Sequence, residues 1–396
     1  QRTRSRRAMG FGSRSAPGMC WRRSCSRRAV FYDSIRSNEL IFVQDRDPSK
    51  ECWTGHILGK EGVMDKLGFK YPLLNSDLSD FNYDFAQLDH IYFKDAINAC
   101  GLDDTKDLYE ILNNKIKNIS SEKKDKKKLP VWMATLREVK QPEELILMRK
   151  AIDISCAAHL ELMKALQPSM HEYQAQAVIE YMFKKEGSEY VGYPSIVGGG
   201  ENSCILHYET NRKKLEGKDL LVIDAGAEYH GYTADITRTL PVDGVFSKEE
   251  KIIYDIVYQA QEQGIKACKA GSDFRAAHNV ASLIIQNKLM ELGIIKKKED
   301  YSNYFFHGTS HYLGLDVHDA GNYGKLVPGN IITVEPGIYI PEGSPCDQKW
   351  WNIGIRIEDD ILITETEPEN LSGKLPRRTE EIEEIMKQES LFNKIK

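Results

Sequence analysis

Apolar residues in the first third of the chain fall into short, turn-bounded runs. Residues 40–43 read as a buried strand, and residues 66–69 lead into a second turn-bounded stretch. Residues 81–93 mix aromatics with acids, and residues 106–119 carry helical spacing at Leu108, Ile111, Leu112 and Ile116. This predicts a small α/β domain. Beyond residue 138 the pattern is stronger. Pro142 opens a helix in the favoured first-turn position, with Leu145, Met148, Ile152 and Leu160 on one side. Ser169 with Glu172 has capping-box spacing ahead of a helix reaching about Lys185. Ser247 with Glu250 repeats the device before a helix to about Cys268. A fourth helix is predicted over residues 274–292. Between them lie strands at residues 220–225, 233–240, 331–340 and 352–366. Helices segregated from antiparallel strands in this way predict an α+β domain built on a curved sheet.

The 396 residues are enough for two cores. The reading divides them into a basic segment at 1–30, an N-terminal α/β domain at 31–134 and a larger domain at 138–396. A net charge of −5 gives no global pull toward nucleic acid or an anionic membrane surface, and no apolar run is long enough to cross a bilayer. The eight cysteines are scattered without a CxxC pair, which fits reduced thiols in an intracellular, cytoplasmic protein. Residues 1–30 hold nine arginines, five serines and no acid, the composition of an organellar transit peptide. Their few apolar residues lack helical spacing, however, so a disordered tail or an artefactual start competes with a mitochondrial address. Residues 115–128 contain seven lysines without interleaved aromatics or a glycine loop, and read as a solvated linker or helix end.

The chemistry concentrates in five later segments. In DLLVIDAG an alternating strand would point Asp224 the same way as Leu220 and Val222. A lone buried carboxylate costs several kcal/mol unless a cation, a metal or a proton meets it. In TADITR, Asp235 follows across a turn at His230 and Gly231, so a hairpin would bring both acids together. Salt bridges to Arg238 or Arg356 are one way to satisfy such a pair; a metal between them is another. FFHGTSHYLGLDVHD places His307, His311 and His318 within twelve residues among glycines. IITVEPGIYI sets Glu335 on a strand face with Ile331 and Thr333, and NIGIRIEDD sets Glu358 with Gly354 and Arg356 behind an isoleucine face. Oxygen ligands with one imidazole suit Mn²⁺, Co²⁺ or Mg²⁺ better than a sulfur-loving ion. Four carboxylates are too many for one divalent ion, whereas two ions would neutralise them and activate water at neutral pH.

At these residues the sequence resembles the aminopeptidase P and prolidase family, from about residue 136 to 381. The blocks are IVGGGENSCILHY, LVIDAGAEYHGYTADITRTLPV, HGTSHYLGLDVHD, TVEPGIYI and GIRIEDDILIT. The resemblance implies a catalytic domain of pita-bread fold behind a smaller N-terminal domain, the latter truncated here because the aromatic-rich block usual before position 31 is missing. It implies metal ligation by Asp224, Asp235, His311, Glu335 and Glu358, with Asp235 and Glu358 bridging two divalent ions, Mn²⁺ first and Co²⁺ or Zn²⁺ as alternatives. Glu335 would also shuttle the proton, His207 and His318 would steady the scissile carbonyl, His307 would border the substrate, and Arg356 would orient ligands. WTGHILG at residues 53–59 resembles an N-domain block in which the tryptophan, here Trp53, reaches a neighbouring subunit's site, implying a dimer or tetramer.

The implied activity is removal of an N-terminal residue from peptides with proline at position two. Ser310, Leu315 and the short interval from Glu335 to Glu358 favour aminopeptidase P over prolidase, an Xaa-Pro dipeptidase. A non-catalytic pita-bread binding module, a creatinase-like hydrolase and a methionine aminopeptidase rank below both.

Overall fold

In this computed structural model the placed residues are 8–11, 29–33, 38–93 and 104–392, and the chain divides into two units between Thr135 and Leu136. The transit-peptide reading of residues 1–30 falls mostly outside the placed residues. Within that stretch, Ala8–Phe11 is a strand and Ala29–Asp33 begins another.

The first unit is a six-stranded mixed sheet. It is built from β1 (Ala8–Phe11), β2 (Ala29–Asp33), β3 (Asn38–Val43), β4 (Tyr71–Leu74), β5 (His90–Tyr92) and β6 (Lys124–Asp125), in the order β4-β3-β2-β1-β5-β6. Its helices are α1 (Pro48–Thr54), α2 (Gly59–Leu67) and α3 (Asp104–Ile116), and α4 (Lys128–Glu138) runs across the division between the units. Alternation along β3 sends Phe42 to one face, against Leu78, Leu88 and Ile91. Ile41 and Val43 go to the other, against Val63. The lysine run is more structured than a linker. Lys115 caps the Ser79 and Phe81 carbonyls, Lys123 reaches the Ala86 carbonyl, and Lys124–Asp125 forms the edge strand β6. Lysine on an edge strand discourages further pairing.

The second unit begins with α5 (Pro142–Ala165) and α6 (Glu172–Lys185). Short strands β7 (Tyr190–Val191) and β8 (Ile196–Gly199) follow, then β9 (Leu220–Asp224), β10 (Ala227–Tyr229), β11 (Tyr232–Thr233) and β12 (Thr237–Pro241). Helices α7 (Lys248–Ala267) and α8 (Ala276–Glu291) come next. The chain closes with β13 (Ile331–Val334), β14 (Gly337–Ile340), β15 (Ile353–Arg356), β16 (Asp359–Leu362), β17 (Glu369–Asn370) and α9 (Thr379–Met386). Strands pair antiparallel as β8-β9-β12, β7-β10-β11, β13-β16-β17 and β14-β15. The helices cover them with one extended core that includes Met148, Ile152, Leu162, Ile179, Val257 and Ile285.

Two of the predicted helix starts form as expected. Pro142 is the first residue of α5, and Glu144 accepts the Gln141 amide at 2.8 Å. Ser247 and Glu250 complete their reciprocal box at 3.3 and 2.7 Å. The third does not. Ser169 sits at a φ of 78°, its amide bound to the Leu215 carbonyl, and the cap of α6 is His171, whose amide donates to Gln174. The carboxylate of Glu172 is turned inward instead.

The predicted long strands break where backbone pairing must stop. Residues 331–340 divide at Pro336, which has no N–H to donate. The stretch from 352 divides at Ile357 and Glu358, and the stretch from 233 divides at 234–236. Across the second break lies Arg238 on β12, fully buried. Its guanidinium donates to the Thr237, Glu358, Leu375 and Pro376 carbonyls and to the Asp359 carboxylate at 2.8 Å. Burial works against the Asp359 charge, but Arg238 and Arg377 outweigh it and hold that carboxyl below its ordinary range. Among the placed residues five cysteines are free thiols, and no helix is long and apolar enough to cross a membrane.

Removing one partner of such a buried pair strands the other. Arg238→Met is expected to destabilise the second unit by about 3–5 kcal/mol. Urea unfolding followed by tryptophan fluorescence would measure this, and an unchanged midpoint would refute the assigned role.

Candidate metal centre

Asp224 ends β9, where it stands opposite Thr237 of β12 and Ile196 of β8. All five residues of β9 are buried, so the strand is covered on both faces rather than one. Asp235 lies just beyond β11. The expected turn is present: His230 and Gly231 take φ values of 49° and 89°, a two-residue reversal between β10 and β11. Gly226 permits the return, since a Cβ there would lie 1.8 Å from the Ala234 carbonyl oxygen. The Asp235 amide donates to Asp360 at 3.2 Å, and the Glu358 amide to the Thr237 carbonyl at 3.1 Å.

The histidine segment runs beside β13. Thr333 donates its amide to the His311 carbonyl, and Glu335 its amide to that of Thr309, at 3.0 and 2.9 Å. His311 Nδ1 sits 3.1 Å from the Tyr312 carbonyl, which leaves Nε2 facing inward, 3.3 Å from Asp235 and 3.5 Å from Glu335. Single ligand atoms of Asp235, His311 and Glu358 all lie within 4.8 Å of one another.

Asp224, Asp235 and Glu358 are buried and Glu335 is only slightly open. Among the placed residues no lysine or arginine reaches Asp235, Glu335 or Glu358. Burial, followed by mutual repulsion, raises Asp235 and lifts Glu358 well above the carboxylate range. Burial likewise pushes Glu335 up to about 7, against the opposing pull of His311. For His311 burial disfavours the cation, but the Asp235 hydrogen bond and the Glu335 charge prevail and hold it at about 9.

Arg356, fully buried on β15, meets Asp224 at 2.8 Å and also donates to Thr237 and to the Tyr339 hydroxyl. The salt-bridge reading therefore holds for Asp224 with Arg356, while Arg238 serves Asp359. The Tyr339 hydroxyl continues to His307 Nε2 at 2.9 Å, and His307 Nδ1 lies 3.6 Å from Glu335. Burial and Arg356 together depress His307 to about 3.

Sequence reasoning missed Tyr193. Its hydroxyl lies 2.6 Å from Asp224 and 2.5 Å from Asp235. A phenol has one proton, so it cannot donate to both carboxylates; the second short contact needs a proton on an acid. This is the geometry of a site short of positive charge, and its donor set of oxygens with one imidazole fits hard or borderline divalent ions. No local pattern marks Tyr193, since a lone aromatic before a proline reads as packing.

The remaining predicted residues are placed as follows. The rings of His318 and His311 are 4.5 Å apart at 76°. His318 is lowered by burial and then by the neighbouring His311 and His207. Asp319, next in sequence, is held by Arg137 and Lys140. His207 is exposed, and its charge bears on both His307 and His318. Trp53 belongs to the first unit, on α1, and is 90% exposed.

The sequence profile of metallopeptidase family M24 matches residues 146–365. The Xaa-Pro aminopeptidase of Escherichia coli strain K12 is 37% identical over 374 residues, covering 89% of this chain and 83% of that one. The Xaa-Pro aminopeptidase of Haemophilus influenzae is 34% identical over 363 residues, covering 88% and 81%. The solved structure of zinc-substituted aminopeptidase P of Escherichia coli in complex with product superposes with a TM-score of 0.84 at 32% identity, over 96% of this chain and 94% of that one. The α+β pita-bread expectation is thus met, and this chain belongs to metallopeptidase family M24.

Proposed function

We propose that this protein is a dinuclear, metal-dependent Xaa-Pro aminopeptidase that hydrolyses the bond between an N-terminal residue and a following proline. The observation that carries the reading is the cluster of Asp235, His311 and Glu358, with Glu335 beside His311 and Asp224 joined to Asp235 through Tyr193, a group with more acids than nearby cations. These five side chains would hold two divalent ions, Mn²⁺ in preference to Co²⁺ or Zn²⁺. Bound there, the ions would lower the pKa of water and polarise the scissile carbonyl.

The chain's own residues supply the rest. Glu335, lifted toward neutrality, is poised to accept a proton and return it to the departing prolyl nitrogen. The departing nitrogen must gain a proton for the bond to break, and the one taken from the attacking water supplies it. His318 and His207, close enough for their charges to interact, would steady the carbonyl oxygen as charge develops on it. His307, kept neutral and fixed through Tyr339, would border the proline ring. Arg356 would orient Asp224 and, through Tyr339, His307. Trp53 would complete a neighbouring subunit's site in a dimer or tetramer.

Chelation is expected to abolish cleavage of an Xaa-Pro-Xaa-Xaa peptide, and added Mn²⁺ to restore it; turnover confined to an Xaa-Pro dipeptide would show a prolidase instead. Asp224→Ala and Glu358→Ala should lose metal and activity together. Glu335→Gln should retain metal and lower kcat by about 10²–10⁴-fold; turnover at the parent rate would remove its proton-transfer role. Because His311 is held at about 9 and Glu358 is lifted well above the carboxylate range in the metal-free site, binding must release protons. Metal affinity should therefore fall from pH 9 to pH 6, with a net release of protons on binding at pH 7. Calorimetry in buffers of different ionisation enthalpy reads that release, and a value of zero would contradict the charge states described.

A further inference from the structure

Glu172, which does not cap α6, is fully buried. Buried carboxylates demand partners, and this one has four, none of them a lysine or arginine side chain. Oε1 accepts from the Gly199 amide at 2.8 Å and the Asn202 side-chain amide at 2.9 Å. Oε2 accepts from the Tyr208 hydroxyl at 2.9 Å and the Lys213 amide at 2.8 Å. The Glu172 amide donates in turn to the Lys213 carbonyl at 2.9 Å, so residue 213 is gripped twice.

These four donors stand on both sides of His207, two before it and two after. Among the placed residues the His207 ring itself makes no hydrogen bond; it is exposed, and it acts electrostatically on His307 and His318. Its place is therefore set by the backbone that carries it. The first part of that backbone is seated on β15, where a Cβ at Gly354 would lie 2.2 Å from the Ser203 carbonyl oxygen. Tyr208, next to His207, has its hydroxyl tied to Glu172.

We propose that Glu172 is the positioning residue for His207, closing residues 199–213 on one carboxylate so that the imidazole is held beside His307 and His318. The proposal rests on the reading that His207 meets the substrate. Glu172 itself touches neither substrate nor metal ligand. Its loss should act only through His207, which a general packing role would not do.

A double-mutant cycle on the full-length, Mn²⁺-loaded protein tests this. Glu172→Ala and His207→Ala should each lower kcat/KM for an Xaa-Pro peptide, on the order of ten- to a hundredfold, with metal content unchanged. The double variant should lie within about threefold of His207→Ala alone. Glu172→Gln keeps the two bonds at Oε1 and loses acceptance at the other side, so it should fall between parent and alanine variant. Tyr208→Phe should shift the same way by less. If Glu172→Ala does not fold, Glu172→Gln replaces it in the cycle.

Limited trypsin digestion at Arg212 and Lys213 reads loop closure independently of turnover. Cutting there should be faster in Glu172→Gln than in the parent. Losses that multiply in the double variant, or parent-like turnover and digestion in Glu172→Gln and Tyr208→Phe, would overturn the proposal. A parent inactive on Xaa-Pro peptides would sink the functional reading instead, and unchanged digestion would then still refute loop closure.

Discussion

The second unit is organised by an excess of buried negative charge. Asp224, Asp235, Glu358, Asp359 and Asp360 are all buried, with Glu335 close by at the mouth. Such acids are tolerable only when each finds a cation or a proton. The chain provides Arg356 for Asp224, and Arg238 with Arg377 for Asp359. His311 is the one cationic side chain among the placed residues that makes ion pairs with Asp235 and Glu335, with Arg356 acting on Glu335 from farther off. The rest of the demand is left to whatever positive charge enters from outside. The two aspartates on one Tyr193 hydroxyl, which can donate to only one of them, and the buried, unpartnered Oδ1 of Asp360 express the same deficit.

Those acids also fix which elements must meet. β9 and β12 bring Asp224 and Asp235, β13 leads to Glu335, and the break between β15 and β16 brings Glu358. Arg238 bonds the Glu358 carbonyl while its neighbour Asp359 takes the charge, so the Glu358 carboxylate hangs from a backbone held by a buried ion pair. Orientation and electrostatics are supplied by the same few residues.

Much of this was legible in the sequence because the signals are local. Pro142 and the Ser247–Glu250 box mark helix starts by chemistry that needs no distant partner. The His230-Gly231 turn likewise follows from residues that accept positive φ. What could not be read depends on remote contacts. Ser169–Glu172 has the spacing of a cap, but the carboxylate finds four better-placed donors up to 41 residues away. Alternation along β9 suggested one buried face, whereas a strand covered on both sides gives no such contrast. Tyr193 and Tyr339 matter through what their hydroxyls touch, which spacing does not encode.

The order of the ligands along the chain has a consequence for biosynthesis. Asp224 and Asp235 leave the ribosome well before Glu358, and at ~5–20 residues per second the gap is roughly 7–27 s. During that interval the two aspartates stand in water, where their repulsion is weak and their grip on a cation poor. The centre can therefore mature only after the last strands have been made, which protects the nascent chain from capturing an ion before its geometry can select one.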